Sequence, residues 1–139
     1  PVIMQWAKNV GVEKVYTNDD IAWCGLFVAQ VVKKAGFDPV PTPLWALNWS
    51  NFGEGQKIAM LGDILVFKRE GGGHVGFYVG EDKDYFHVLG GNQRDQVNII
   101  RIAKRRCVAI RRCKWKTAQP ESVKQYFLSA TGAISTNEA

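Results

Sequence analysis

The sequence predicts an α+β domain in which helices come first and an antiparallel sheet follows, and three observations predict it. Residues 19–36 form an apolar stretch with few polar positions on any face, the pattern of a helix packed on most sides. From Leu61 onward the pattern changes to short β-rich runs separated by glycines and charges. The connections between those runs are too short for crossover helices, so neighbouring runs are expected to pair antiparallel.

The elements follow in chain order. Val2, Ile3, Trp6, Ala7, Val10 and Val15 recur at broadly helical spacing, with Gly11 as a stop, which predicts a short helix packed on the next one. In the central stretch, Asn18, Asp19 or Asp20 is placed to cap the helix start and Gly36 to end it. Pro39, Pro41 and Pro43 forbid a regular helix or central strand, and a short helix is expected in the tryptophan-rich piece Leu44 to Phe52. Trp45, Trp49 and Phe52 read as core, with the wall of a ligand groove as the alternative. Strands are predicted over 62–67, 74–80, 85–89, 97–102 and 107–115, giving a five- to six-stranded antiparallel sheet. Pro120 to Leu128 reads as a C-terminal helix with a proline near its start, followed by a polar tail to residue 139.

A chain of 139 residues with 46% hydrophobic content fits one domain with a substantial core, and no linker divides it. No apolar run approaches the ~18 residues that cross a bilayer, and no basic, apolar leader stands at the N-terminal end. The net charge of +5 points to an anionic partner, such as nucleic acid, a membrane surface or the acidic polymers of a cell envelope. Cys24, Cys107 and Cys113 are odd in number and form no CxxC or CxxH pair, so neither a zinc site nor a full disulfide framework is expected. On an extended strand, Cys107 and Cys113 would lie about 20 Å apart, too far for a disulfide.

Cys24 is the residue with most chemical potential. A thiol in the first turns of a helix feels the positive end of the macrodipole, which favours the nucleophilic thiolate. A lone cysteine in an apolar helix is otherwise a small core residue, so the nucleophile reading needs a partner histidine. His74 opens a strand directly after Gly71-Gly72-Gly73, where a side chain can project into a cleft. Such an imidazole takes the thiol proton and returns it to a leaving amine, provided a third polar group orients it. Asn92, at the end of the following strand, is the candidate for that group.

Four blocks in this order carry a resemblance: Trp23-Cys24-Gly25-Leu26-Phe27-Val28, Gly62 to Phe67, Gly73-His74-Val75-Gly76-Phe77-Tyr78-Val79-Gly80, and Leu89-Gly90-Gly91-Asn92-Gln93. Over residues 6–115 the chain resembles the cysteine- and histidine-dependent amidohydrolase/peptidase (CHAP) domains and the related NlpC-type cell-wall peptidases. The resemblance implies a papain-like fold and thiol-dependent hydrolysis of an amide bond in peptidoglycan, either in the stem peptide or at the muramoyl-L-alanine linkage. It also implies a monomer working without a cofactor in the bacterial cell wall or periplasm, as bacteriophage endolysins and tail-associated lysins do. Carried over, Cys24 is the nucleophile, His74 the base and Asn92 the orienting residue. The glutamate common two places earlier is Gly90 here, which leaves Gln93 and His87 as competitors for the third role. Positions 87 and 92 differ by an odd number, so a regular strand faces them oppositely. Some relatives hold calcium near the nucleophile, but Asp19 and Asp20 do not form a loop of alternating ligands, so no metal is expected.

Three other readings compete. A cell-wall binding module would keep an aromatic groove but need no thiol, and a secreted interbacterial amidase effector would share the chemistry but not the origin. A nucleic-acid binder would use Arg105, Arg106, Arg111, Arg112, Lys114 and Lys116. Strand alternation turns Arg111 and Arg112 to opposite faces, which argues against one basic patch and for no nucleic-acid partner.

Overall fold

The computed structural model describes residues 24–40, 46–69, 72–93 and 96–130. The predicted first helix, the caps Asn18, Asp19 and Asp20, Trp23, Trp45 and the tail from residue 131 lie outside the described residues. The described elements are helix α1 (Cys24–Lys34), a 3-10 helix (Ala46–Asn51), strands β1 (Glu54–Gly55), β2 (Ile64–Arg69), β3 (Gly72–Glu81), β4 (Tyr85–Gln93) and β5 (Gln96–Ala103), a 3-10 turn (Lys104–Arg106), and β6 (Cys107–Arg112). The fold is α+β, with α1 packed on a six-stranded antiparallel sheet.

Helix α1 buries Cys24 through Gln30 without a break, as its nearly all-round apolar sequence requires. Its end is built as the sequence indicates. Gly36 takes φ 91°, and the N–H groups of Gly36 and Phe37 donate to the carbonyls of Lys33 and Val32. That pair closes a left-handed C-terminal cap, and Lys33 and Lys34 in the last turn complement the negative end of the helix.

Strands β2, β3, β4 and β5 form the expected meander, pairing in sequence order. The last strand departs from expectation. The Lys104–Arg106 turn is short enough for a hairpin, yet β6 pairs with β2 and β1, giving the order β1-β6-β2-β3-β4-β5. In a flat sheet β5 and β6 would be four spacings apart, about 19 Å. The chain from Ala103 to Cys107 reaches at most ~14 Å fully extended. The sheet must therefore curl, bringing its β5 edge round toward β6.

Curling gives the sheet two different faces. Leu65, Phe67, Tyr78, Phe86, Val88, Ile100 and Ile102 fill the concave side, with Ala59 closing the cluster. On the convex side, Ile64, Val66, Val75 and Phe77 pack against α1 and the 3-10 helix through Leu26, Phe27, Val28 and Trp49. Phe27 meets Phe77 edge to face at 6.2 Å between centroids. Trp49 is fully buried and belongs to the core, and Phe52, 5.6 Å from it, is buried in the same cluster while also lining a cavity wall.

The segment from Pro120 to Ala130 is not a helix but an extended strap. After a turn closed by the Val123 N–H on the Pro120 carbonyl at 3.0 Å, its backbone groups bond to other parts of the chain. Tyr126 accepts from the Glu81 N–H at 2.8 Å, Leu128 donates to the Glu81 carbonyl at 2.8 Å, and Lys124 accepts from Leu61 at 3.0 Å. The hydroxyl of Tyr78 accepts the N–H of Tyr126 at 3.1 Å and donates to Glu81 Oε2 at 2.6 Å. Leu128 lies so tightly over Gly80 that a Cβ there would collide with it, which explains the glycine.

Candidate active site

Cys24 is the first described residue of α1, with 4% of its surface exposed, and it belongs to the convex cluster. Helix α1 runs along β3. Phe27 sits over Phe77, and Val31, Val32 and Ala35 share a cavity wall with Ile64 and Val79 farther along. Cys24 therefore lies toward the end of the sheet where β3 begins, the end that carries His74.

His74 is fully buried. It pairs with Phe67 across β2 and β3, and the two rings lie 6.4 Å apart at 31°. Alternation along β3 sends Val75 and Phe77 to the helix side and His74, Gly76 and Tyr78 to the concave side. Cys24 and His74 thus share an end of the sheet but face different layers. Gly73, just before His74, packs under Leu47 of the 3-10 helix, where a Cβ would come within 2.6 Å of Leu47 Cδ2.

Asn92 and Gln93 fall at the end of β4, which returns to the same end of the sheet as the start of β3. Their side chains lie outside the described residues. His87 is placed quite differently. It pairs with Gly80 near the β3–β4 turn, and alternation puts it on the convex side, opposite Phe86 and Val88. Its Nε2 lies 2.8 Å from Asp82 Oδ2, and Arg101 Nε donates to the same oxygen at 3.0 Å. His87 shares a face with α1 but sits at the far end of the sheet from Cys24.

The acidic groups at that far end are tied up. Burial opposes ionisation of Asp82, but the hydrogen bonds from Arg101 and His87 outweigh it and lower its pKa to about 2. Glu81 is likewise held below the usual carboxylate range. Burial opposes this, and hydrogen bonds from Lys104, at 2.7 Å, and from Tyr78 overcome it. Burial and the bond to Glu81 raise the Tyr78 hydroxyl, keeping it a donor. Sequence reading missed this network, although an Asp, a His and an Arg on adjacent strands around one tight turn were the available signal.

The basic residues weighed for nucleic acid are largely engaged within the molecule. Arg112 forms a two-pronged bond to Asp63, both prongs at 2.8 Å, and Arg111 donates to the carbonyls of Phe52 and Gly53 at 2.6 and 3.0 Å. Lys116 donates to the Gly36 carbonyl at 2.8 Å. Arg105 stands exposed on the turn before β6.

Cys107 and Cys113 are free thiols. Burial raises the pKa of Cys107 to about 11 and raises that of Cys113, so neither is an activated nucleophile near neutral pH. Among the described residues no group of three or more His, Cys, Asp and Glu is placed to hold a metal ion, and no helix is long and apolar enough to cross a membrane. No protein-family model matches the chain, and no curated protein matches it.

Proposed function

We propose that the protein is a thiol-dependent amidohydrolase acting on peptidoglycan, with Cys24 as nucleophile, His74 as general base and acid, and Asn92 as the orienting residue. The observation that carries the reading is convergence. The Cys24 end of α1, the His74 start of β3 and the Asn92 end of β4 lie toward one end of the sheet, with Cys24 and His74 on opposite faces of it. The four sequence blocks that resemble cell-wall peptidases fall on those same elements. Of the three thiols, Cys24 is also the one on the helix.

In this mechanism the Cys24 thiolate attacks the carbonyl carbon of the amide, and backbone N–H groups beside the helix hold the oxyanion. His74 delivers the thiol proton to the departing amine. Water then attacks the thioester, with His74 taking its proton, and Cys24 is released. The exchange requires the imidazole to reach the helix side from its place beside Phe67.

The test is digestion of purified sacculi followed by mass spectrometry of the fragments. Wild type should release either a new lactyl end on muramic acid or a new stem-peptide terminus, and Cys24→Ser should release neither. Equal release by a folded Cys24→Ser variant would remove the thiol mechanism.

A further inference from the structure

Beneath the second half of α1 lies a cavity of about 410 Å³, far along the sheet from Cys24. Three separate parts of the chain wall it: Val32 and Ala35 of α1, Phe77 of β3, and, past the end of β6, Trp115 together with Val123 of the strap. The volume lies in the range of small-molecule sites, roughly 300–1,000 Å³. Val31 and Trp115, two of the apolar residues on the wall, are each 38% exposed, so the space has a mouth on the surface. Packed interiors leave few voids larger than a water molecule, and apolar side chains facing an open hollow of this size mark a ligand site.

The lining decides the charge of the occupant. Among the described residues, none that lines the cavity is Asp, Glu, His, Lys or Arg. Its polar side chains are Tyr78, Cys113 and Ser122. The Tyr78 hydroxyl is committed to Glu81 and Tyr126, and burial raises the Cys113 pKa, which keeps that thiol neutral near pH 7. The neighbouring cations do not supply a charge to it. Arg112 is bonded to Asp63, Lys116 to the Gly36 carbonyl, and Lys114 lines a separate hollow with Asp38. An ionised group inside would be buried without a counter-charge, a penalty that no contact in this lining offsets.

Size and shape narrow the occupant further. An apolar cavity of about 150 Å³ holds one benzene, so a space nearly three times as large takes about two rings. Phe37, Phe52, Phe77 and Trp115 all contribute to the wall, with Phe37 and Trp115 edge to face at 6.0 Å. Rings so arranged attract a further ring through stacking or edge contacts.

We propose that this cavity is a binding site for an uncharged aromatic molecule of about two rings. The site lies apart from Cys24 and does not rest on the thiol mechanism. Naphthalene is the probe, with 2-naphthoate and 1-naphthylmethylammonium as charged counterparts of similar shape. Equilibrium dialysis of the full chain should show saturable, one-to-one uptake of naphthalene, and each charged counterpart should bind at least about tenfold more weakly. Near saturation naphthalene should also slow N-ethylmaleimide labelling of Cys113 about tenfold, while Cys107, outside the cavity, keeps its rate as an internal reference. Ala35→Trp fills the space from the helix and Val123→Trp from the strap, so the test survives if one of them misfolds. Each folded variant should lose uptake with circular dichroism unchanged.

Any of four results would overturn the proposal. These are absent or unsaturable uptake of naphthalene, equal binding of either charged counterpart, equal protection of Cys107, or uptake unchanged in a folded filling variant.

Discussion

The two ends of the sheet are made of different materials. At the β3–β4 turn, Asp82, His87 and Arg101 form one ion-paired cluster, and Glu81, Lys104 and Tyr78 form another beside it. At the opposite end, where β3 begins, the buried Cys24 packs with Leu26 and Val75 on one face and the buried His74 lies beside Phe67 on the other. Buried charges are tolerated when each is paired and hydrogen-bonded, and so paired they hold strands in register but lose their reactivity. One end is thus held by paired charges, and the other carries the two groups that the proposed mechanism uses.

The sharpest way to break this comparison is to exchange the two histidines in experiment. His74→Ala should cut sacculus lysis per folded molecule by roughly 10³-fold or more, the scale for losing a member of a catalytic constellation, and should also lower the urea midpoint, because it empties a buried site beside Phe67. His87→Ala should lower the midpoint but leave the rate per folded molecule close to wild type. Lysis that depends on His87 instead would move the active end to the β3–β4 turn.

Asp82→Ala should be the most damaging change to stability. It strands Arg101, which is 8% exposed, and His87 without their shared carboxylate, and leaving buried charge uncompensated costs about 3–5 kcal/mol. Urea denaturation measures it, and a loss under ~1 kcal/mol would place the cluster among surface ion pairs of little worth.

Acid should act on the same end. Asp82 has its folded pKa lowered from 3.8 to about 2, so its contribution is complete above about pH 4 and disappears as pH falls toward 2. The loss over that window is on the order of 2 kcal/mol from Asp82. Glu81, lowered in the same direction, adds to it. In Asp82→Asn the acid-induced fall in the urea midpoint should be visibly shallower than in wild type.

Much of the fold is legible in the sequence because alternation and glycine turns are local. The meander from Ile64 to Ala103 follows from them directly. What is not legible depends on the curl. The Lys104–Arg106 turn looks like a hairpin until the curled sheet brings β2 within reach, and only then does β6 find its place. The strap misleads for a similar reason. Pro120 near the start of the segment suits a helix opening, but Glu81 offers an N–H and a carbonyl to an extended chain, and the sheet wins. Arg111 and Arg112 read as parts of a basic cluster, since nothing local reveals that Phe52, Gly53 and Asp63 wait as acceptors some fifty or sixty residues away. At the candidate site the elements were legible and the facing was not. The motifs put Cys24 and His74 on a helix and a strand start, whereas only the packed sheet reveals that His74 turns toward Phe67.

The central claim is that His74 governs the reactivity of Cys24. Alkylation by iodoacetamide at about pH 7, resolved for each cysteine by peptide mass spectrometry, tests it without needing a substrate. The account predicts that Cys24 reacts well ahead of Cys107 and Cys113 in wild type and that His74→Ala removes the advantage with the fold intact. A Cys24 that alkylates no faster than the other two, or equally fast with and without His74, would contradict it.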